Sequence, residues 1–170
     1  VKEPAPDVVI AGKYILEGQL ATGGMGSVWV ARHVDLEVPV AIKFMGPEVA
    51  ESEEGRNRFE REAKAAAFLQ SPHVVNVQDY GVDDGLAYIA MELLVGEDLE
   101  DRLFRVGRLS LEETLAILKQ ASKALRRAQD IGIVALCGQQ DGRLRDCLAD
   151  TDLLIRVNHA RWPRVSETHR

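Results

Sequence analysis

A cluster of glycines between two β-type runs constrains this chain more than any other feature. Leu20-Ala21-Thr22-Gly23-Gly24-Met25-Gly26-Ser27-Val28-Trp29-Val30-Ala31 is followed closely by Val40-Ala41-Ile42-Lys43. Side chains alternate along a strand, so Val28 and Val30 fall on one face of the run after the glycines. Gly23, Gly24 and Gly26 allow the backbone to turn tightly and to bring N–H groups up to an anion without side-chain clash. Lys43 ends a run of buried-type residues, where a cation held by the sheet can meet phosphate oxygens. The segment predicts an antiparallel hairpin folded over a phosphorylated ligand; an ordinary glycine-rich hairpin shares the local pattern.

The rest of the chain sets bounds on that reading. Its 170 residues suit one domain, or one and a small part of another. A hydrophobic fraction of 46% with 28% charged residues is that of a globular protein. The net charge of -6 argues against a nucleic-acid surface. Lys2, Glu3 and Asp7 stand at the start without an apolar run, so no signal peptide is expected. No stretch approaches about 18 uninterrupted apolar residues, so no membrane span is expected either. Cys137 and Cys147 form no CxxC motif and read as free thiols of a reducing cytoplasm.

In chain order, residues 1–13 read as a loose leader containing Pro4 and Pro6. Strands are predicted over Tyr14–Leu20, Ser27–His33 and Val38–Phe44, with a turn at Val34–Glu37. Glu51–Leu69 is predicted as a helix, with Phe59, Ala63, Ala66 and Leu69 at helical spacing and Pro72 as its stop. Val74–Gly81 and Leu86–Leu93 form a hairpin around Asp83-Asp84-Gly85, which supplies the positive φ such turns need. Leu99–Val106 is a short helix. Ser110 caps a longer one, with Glu113 completing a capping box. Leu111, Leu115, Leu118, Ala121 and Leu125 are expected to form its buried stripe. The fold class is therefore α+β: a five-stranded antiparallel sheet with one helix over 14–95, two helices within 96–132, and an α/β tail over 133–170.

Loop, lysine strand, helix and second hairpin together resemble eukaryotic-type serine/threonine protein kinases, particularly the bacterial ones, over about Tyr14 to Val134. One position departs from the Gly-x-Gly-x-x-Gly-x-Val pattern: Ala21 stands where the first glycine belongs, which a negative φ would tolerate. The resemblance implies ATP as cofactor and nucleotide as ligand. Leu20, Ala21, Gly23, Gly24 and Gly26 would cover it, and Val28 and Ala41 would pack on the adenine faces. Met91 would be the gatekeeper, and the backbone from Glu92 to Leu94 would hydrogen-bond adenine. Lys43 would hold the α and β phosphates, itself fixed by Glu62 of the Glu60-Arg61-Glu62-Ala63 run. Plain core packing is the alternative for each apolar residue, and a solvated helix charge is the alternative for Glu62.

After Gly132-Ile133-Val134 the resemblance stops. The family continues with His-Arg-Asp and, further on, Asp-Phe-Gly, which carry the catalytic carboxylate and the Mg²⁺ ligands. Here Ala135-Leu136-Cys137-Gly138-Gln139-Gln140-Asp141-Gly142 follows, and Asp150 and Asp152 lie in no comparable context. Mg²⁺ would accompany ATP, but its usual protein ligands are absent, and no metal ligand is assigned. The expectation is an ATP-binding domain that is catalytically incomplete. The alternatives are a pseudokinase-type interaction module, binding an unspecified protein partner, and a fusion fragment.

The tail supports the last of these. Ala135-Leu136-Cys137-Gly138, Asp141-Gly142, Leu154-Ile155-Arg156-Val157 and Ser166-Glu167-Thr168-His169 resemble the C-terminal part of phosphoheptose isomerase-type sugar isomerase domains. That family would make His169 a proton-transfer residue. As the penultimate residue it reads rather as a solvated terminal histidine. A fusion and a frameshift or truncation both fit the tail.

Overall fold

The computed structural model describes residues 3–23, 26–46, 49 and 51–131. The strands and helix expected over 133–170, with Cys137, Cys147 and His169, lie outside the described residues. Six strands form one antiparallel sheet: β1 (Val9–Ile10), β2 (Tyr14–Gly23), β3 (Gly26–His33), β4 (Pro39–Phe44), β5 (Val77–Asp83) and β6 (Leu86–Glu92). Their order is β1-β2-β3-β4-β6-β5. The fold class is the expected one, with one strand more than the sequence suggests. Residues expected to be a loose leader supply it: Val9 pairs with Ile15 and Ile10 with Tyr14, and Ile10 is 0% exposed. Two residues are too few to show a strand period, so only the partner strand defines β1.

Sheet chemistry follows from alternation. Along β4, Val40, Ile42 and Phe44 are buried with Trp29, Ala31, Leu16, Ile10, Tyr14, Tyr88 and Ala90 in the main core. Ala41 and Lys43 take the opposite face. The β5–β6 hairpin turns through Asp84 at φ 48° and Gly85 at φ 82°, both in the left-handed region that a two-residue hairpin loop requires. The sheet curls until its two edges meet. The Ala11 N–H donates to Asp83 Oδ2 at 3.0 Å, and Lys13 Nζ and the Tyr14 hydroxyl donate to Asp79 Oδ2 at 2.9 and 3.2 Å. Burial disfavours the Asp79 charge, yet the Lys13 ammonium and the Tyr80 N–H hold its pKa below the usual carboxylate range. Burial and then the Asp79 charge push the Tyr14 hydroxyl well above its ordinary value, so it remains a donor.

Helix α1 (Glu53–Phe68) begins at Ser52, whose hydroxyl accepts from the Gly55 N–H at 2.9 Å. Phe59 and Ala63 are buried, and Phe59 meets Tyr80 of β5 edge to face with centroids 6.2 Å apart. Helices α2 (Leu99–Val106) and α3 (Leu111–Asp130) follow, and the expected capping box at Ser110 and Glu113 is present.

The face of α3 that packs is not the leucine stripe. Ala124 and Ala128, with Ile131, lie against Leu69 and Val74. Leu111 is 76% and Leu118 58% exposed, and Leu115 and Leu125 are exposed as well. Successive residues turn by about 100° on a helix, so Leu125 points well away from neighbouring Ala124. Small side chains let α3 come close to the loop after α1, and that contact, rather than leucine bulk, sets its rotation. Among the described residues, no helix is long and apolar enough to cross a membrane.

Candidate functional site

The glycine hairpin is built by close backbone approach. Gly23 pairs with Gly26 across the β2–β3 turn, while Gly24 and Met25 lie outside the described residues. Gly26 has φ +117°, and a Cβ placed on it would stand 1.9 Å from the Phe44 carbonyl oxygen. No side chain fits there, so glycine at 26 is a condition for β3 to lie against the end of β4. Ala21 sits in the ladder opposite Val28 and is not among the residues with positive φ, so its methyl is accommodated. Leu20 falls at the register shift between Gln19 and Ala21, is exposed, and has no partner in the β2–β3 register. Such a bulge re-aims side chains locally.

On the face opposite the main core, Ala41 and Met91 are buried with Val75, and Val28 and Leu93 pack against them. Register explains the grouping: Val28 pairs with Lys43, and Ala41 pairs with Met91. Lys43 lies two residues along β4 from Ala41 and so shares this face. Three residues expected to contact one ligand, Val28, Ala41 and Met91, thus form one apolar patch with Lys43 at its end. Val75 and Leu93 belong to the same patch and were not singled out from the sequence. Their sequence signal is only apolar character beside a strand, which core residues share.

Glu92 closes β6 and ties it to the chain before β5. Its N–H donates to the Asn76 carbonyl at 3.0 Å, and its Oε1 accepts from the Asn76 N–H at 2.9 Å. Leu94 follows beyond the ladder and is exposed. Glu62 lies within α1; its side chain is outside the described part. The segment leading from β6 into α2 is anchored by charge. Arg102, only 8% exposed, donates from Nη1 to Glu97 Oε1 at 3.0 Å and from Nη2 to Glu113 Oε1 at 2.6 Å. Arg105 adds bonds to both Glu97 oxygens, at 3.1 and 2.6 Å. Among the described residues, no group of three His, Cys, Asp or Glu side chains is placed to hold a metal.

A curled antiparallel sheet with one helix at its side, carrying a glycine hairpin beside an apolar patch that ends in lysine, is the amino-terminal lobe of a kinase-like fold. The chain belongs to the protein kinase domain family, whose model matches residues 14–134. That stretch coincides with the span marked by the sequence motifs. The chain is 40% identical over 136 residues to the serine/threonine-protein kinase PknA of Mycobacterium tuberculosis, which covers 77% of this chain and 32% of PknA. It is 41% identical over 123 residues to PknH of Mycobacterium bovis, covering 72% of this chain and 21% of PknH. Among solved structures, the Mycobacterium tuberculosis PknI kinase domain superposes with a TM-score of 0.69 at 34% identity, over 76% of this chain and 52% of that domain. The chain thus spans a third or less of these curated relatives and about half of the solved kinase domain.

Proposed function

We propose that this chain binds ATP through its kinase-type lobe and does not, by itself, transfer phosphate to protein. One observation carries the binding half: Val28, Ala41 and Met91 share one apolar patch, on the sheet face that also bears Lys43. In this reading Val28 and Ala41 pack on the adenine faces. Met91 limits its depth, and the backbone from Glu92 to Leu94 meets its edge. Leu20, Ala21, Gly23, Gly24 and Gly26 cover the nucleotide. Lys43, steadied by Glu62, takes the α and β phosphates. The sequence from Ala135 to Gly142 supports the other half, because it has no His-Arg-Asp where the family has its catalytic loop, and Asp141 stands outside that pattern. Phosphoryl transfer depends on positioned charge and metal, so nucleotide binding without the carboxylate of that motif leaves the reaction unserved. No step is assigned to Mg²⁺, for which the described residues provide no ligand cluster.

A thermal melt with and without Mg-ATP, beside Lys43→Met, tests the binding half. At ligand about a hundredfold above its dissociation constant, binding adds about 2.7 kcal/mol. For a chain of this size that is a rise of roughly 5–10 °C. A rise confined to the unmutated protein is expected; its absence in a cooperatively melting protein sinks the reading. Phosphate transfer to a generic protein substrate, abolished by Lys43→Met, would overturn the inactivity.

A second reading, an interaction module, is favoured by the exposed leucine face of α3. Gel filtration separates the two. A monomer that binds ATP supports the first, and an oligomer indifferent to ATP supports the second.

A further inference from the structure

We propose that Arg102 is a positioning residue for nucleotide binding: it fixes the segment leaving β6 onto the N-terminus of α3, and so holds in place the backbone that meets adenine. The inference rests on the nucleotide reading given above.

Helix α2 follows that segment directly, and its apolar side chains do little to hold it. Leu99, Leu103, Phe104 and Val106 are all exposed, and Arg102 is the one residue of this helix that is buried. The attachment is therefore ionic. The guanidinium is planar and forked, so it can grip two carboxylates from different elements at once. One comes from Glu97, immediately after Gly96, where the chain turns at φ +151°. The other comes from Glu113, in the first turn of α3. Glu113 is itself oriented by the capping box: its Oε2 accepts from the Ser110 N–H at 2.9 Å, and its own N–H donates to Ser110 Oγ at 3.1 Å. Arg105 holds Glu97 from the other side. The chain of contacts runs from the exit of β6 through Glu97 and Arg102 to Glu113 and α3. None of these bonds involves a described residue of the glycine hairpin or Lys43. Loosening them should disturb the adenine end of the site and leave the phosphate end alone.

That asymmetry provides the test. Affinities of the full chain for ATP and for inorganic tripolyphosphate are measured by competition against a fluorescent nucleotide, well below the melting transition. The proteins are the unmutated chain, Arg102→Met and Glu113→Gln; the glutamine keeps the Glu113 shape and its acceptor for Ser110. Expected is a loss of about tenfold in ATP affinity in both variants, with tripolyphosphate unchanged. Arg102→Lys, which reaches one carboxylate and not both, should fall between. Equal losses for both ligands would mean general destabilisation and overturn the proposal. Unchanged ATP affinity in Glu113→Gln and Arg102→Lys, with the unmutated chain binding normally, would also overturn it. Failure of the unmutated chain to bind ATP would instead bring down the nucleotide reading, and this inference with it.

Discussion

At the scale of single residues, two positions of the glycine hairpin behave oppositely although the family motif treats them alike. Gly26 cannot be replaced. Its φ lies in the left-handed region, and its missing Cβ is the space that the Phe44 carbonyl occupies. Gly26→Ala should therefore cost about 3 kcal/mol or more, read from the urea midpoint, because both strain and a backbone clash must be relieved. Ala21 lies in ordinary extended pairing opposite Val28. Ala21→Gly should change stability by less than about 1 kcal/mol, the usual cost of a glycine in a strand. The sequence marks both sites as part of one loop. The distance to β4, which separates them, comes from a strand eighteen residues further on. Lys43 and Val28 were legible for a different reason: strand alternation alone assigns them a face, and the register then makes them partners.

At the scale of elements, α3 shows how a helix can be found correctly and turned wrongly. Its cap is local chemistry, so Ser110 and Glu113 identify its start. Its rotation depends on what it meets, and it meets Leu69 and Val74 through alanines. Ala124→Leu should cost about 1–3 kcal/mol by overpacking that contact. Leu118→Gln, on the exposed face, should stay within about 0.5 kcal/mol. Chemical denaturation of the two variants side by side decides which face is buried. The cap also predicts an acid response. The Ser110 backbone N–H, followed by the Arg102 guanidinium, holds the Glu113 carboxyl down at about 2, below its ordinary value of 4.5. A carboxyl depressed in the folded state stabilises above its unfolded pKa and loses that contribution as pH falls through the folded one. Urea midpoints of the natural chain should therefore drop between about pH 4.5 and 2, and Glu113→Gln should show a shallower drop over that window.

At the scale of the whole molecule, the closing of the sheet edge on edge is the main event that local patterns do not announce. Asp79 of β5 receives bonds from Lys13 and Tyr14, which lie more than sixty residues earlier. Asp79→Asn should cost about 1–2 kcal/mol, since a hydrogen-bonded charge is lost but the Lys13 partner is half exposed. Hydrogen exchange should show the loss first at the β1–β2 amides, including the Leu16 N–H that donates to Val8. By itself the sequence determined the strands from Tyr14 onward, the helix boundaries to within a few residues, the hairpin turn at Asp84-Gly85, the cap at Ser110 and the family. Each of these is encoded by neighbours in the chain, through alternation, turn geometry or side-chain capping. Only the tertiary structure decided that Val9 and Ile10 are a strand, that the leucines of α3 face outward, that Val75 and Leu93 join the apolar patch of Val28, Ala41 and Met91, and that Arg102 binds three elements together. Each of those rests on which groups meet in space or on which of two apolar faces finds a partner, and side-chain spacing along the chain is the same for either outcome.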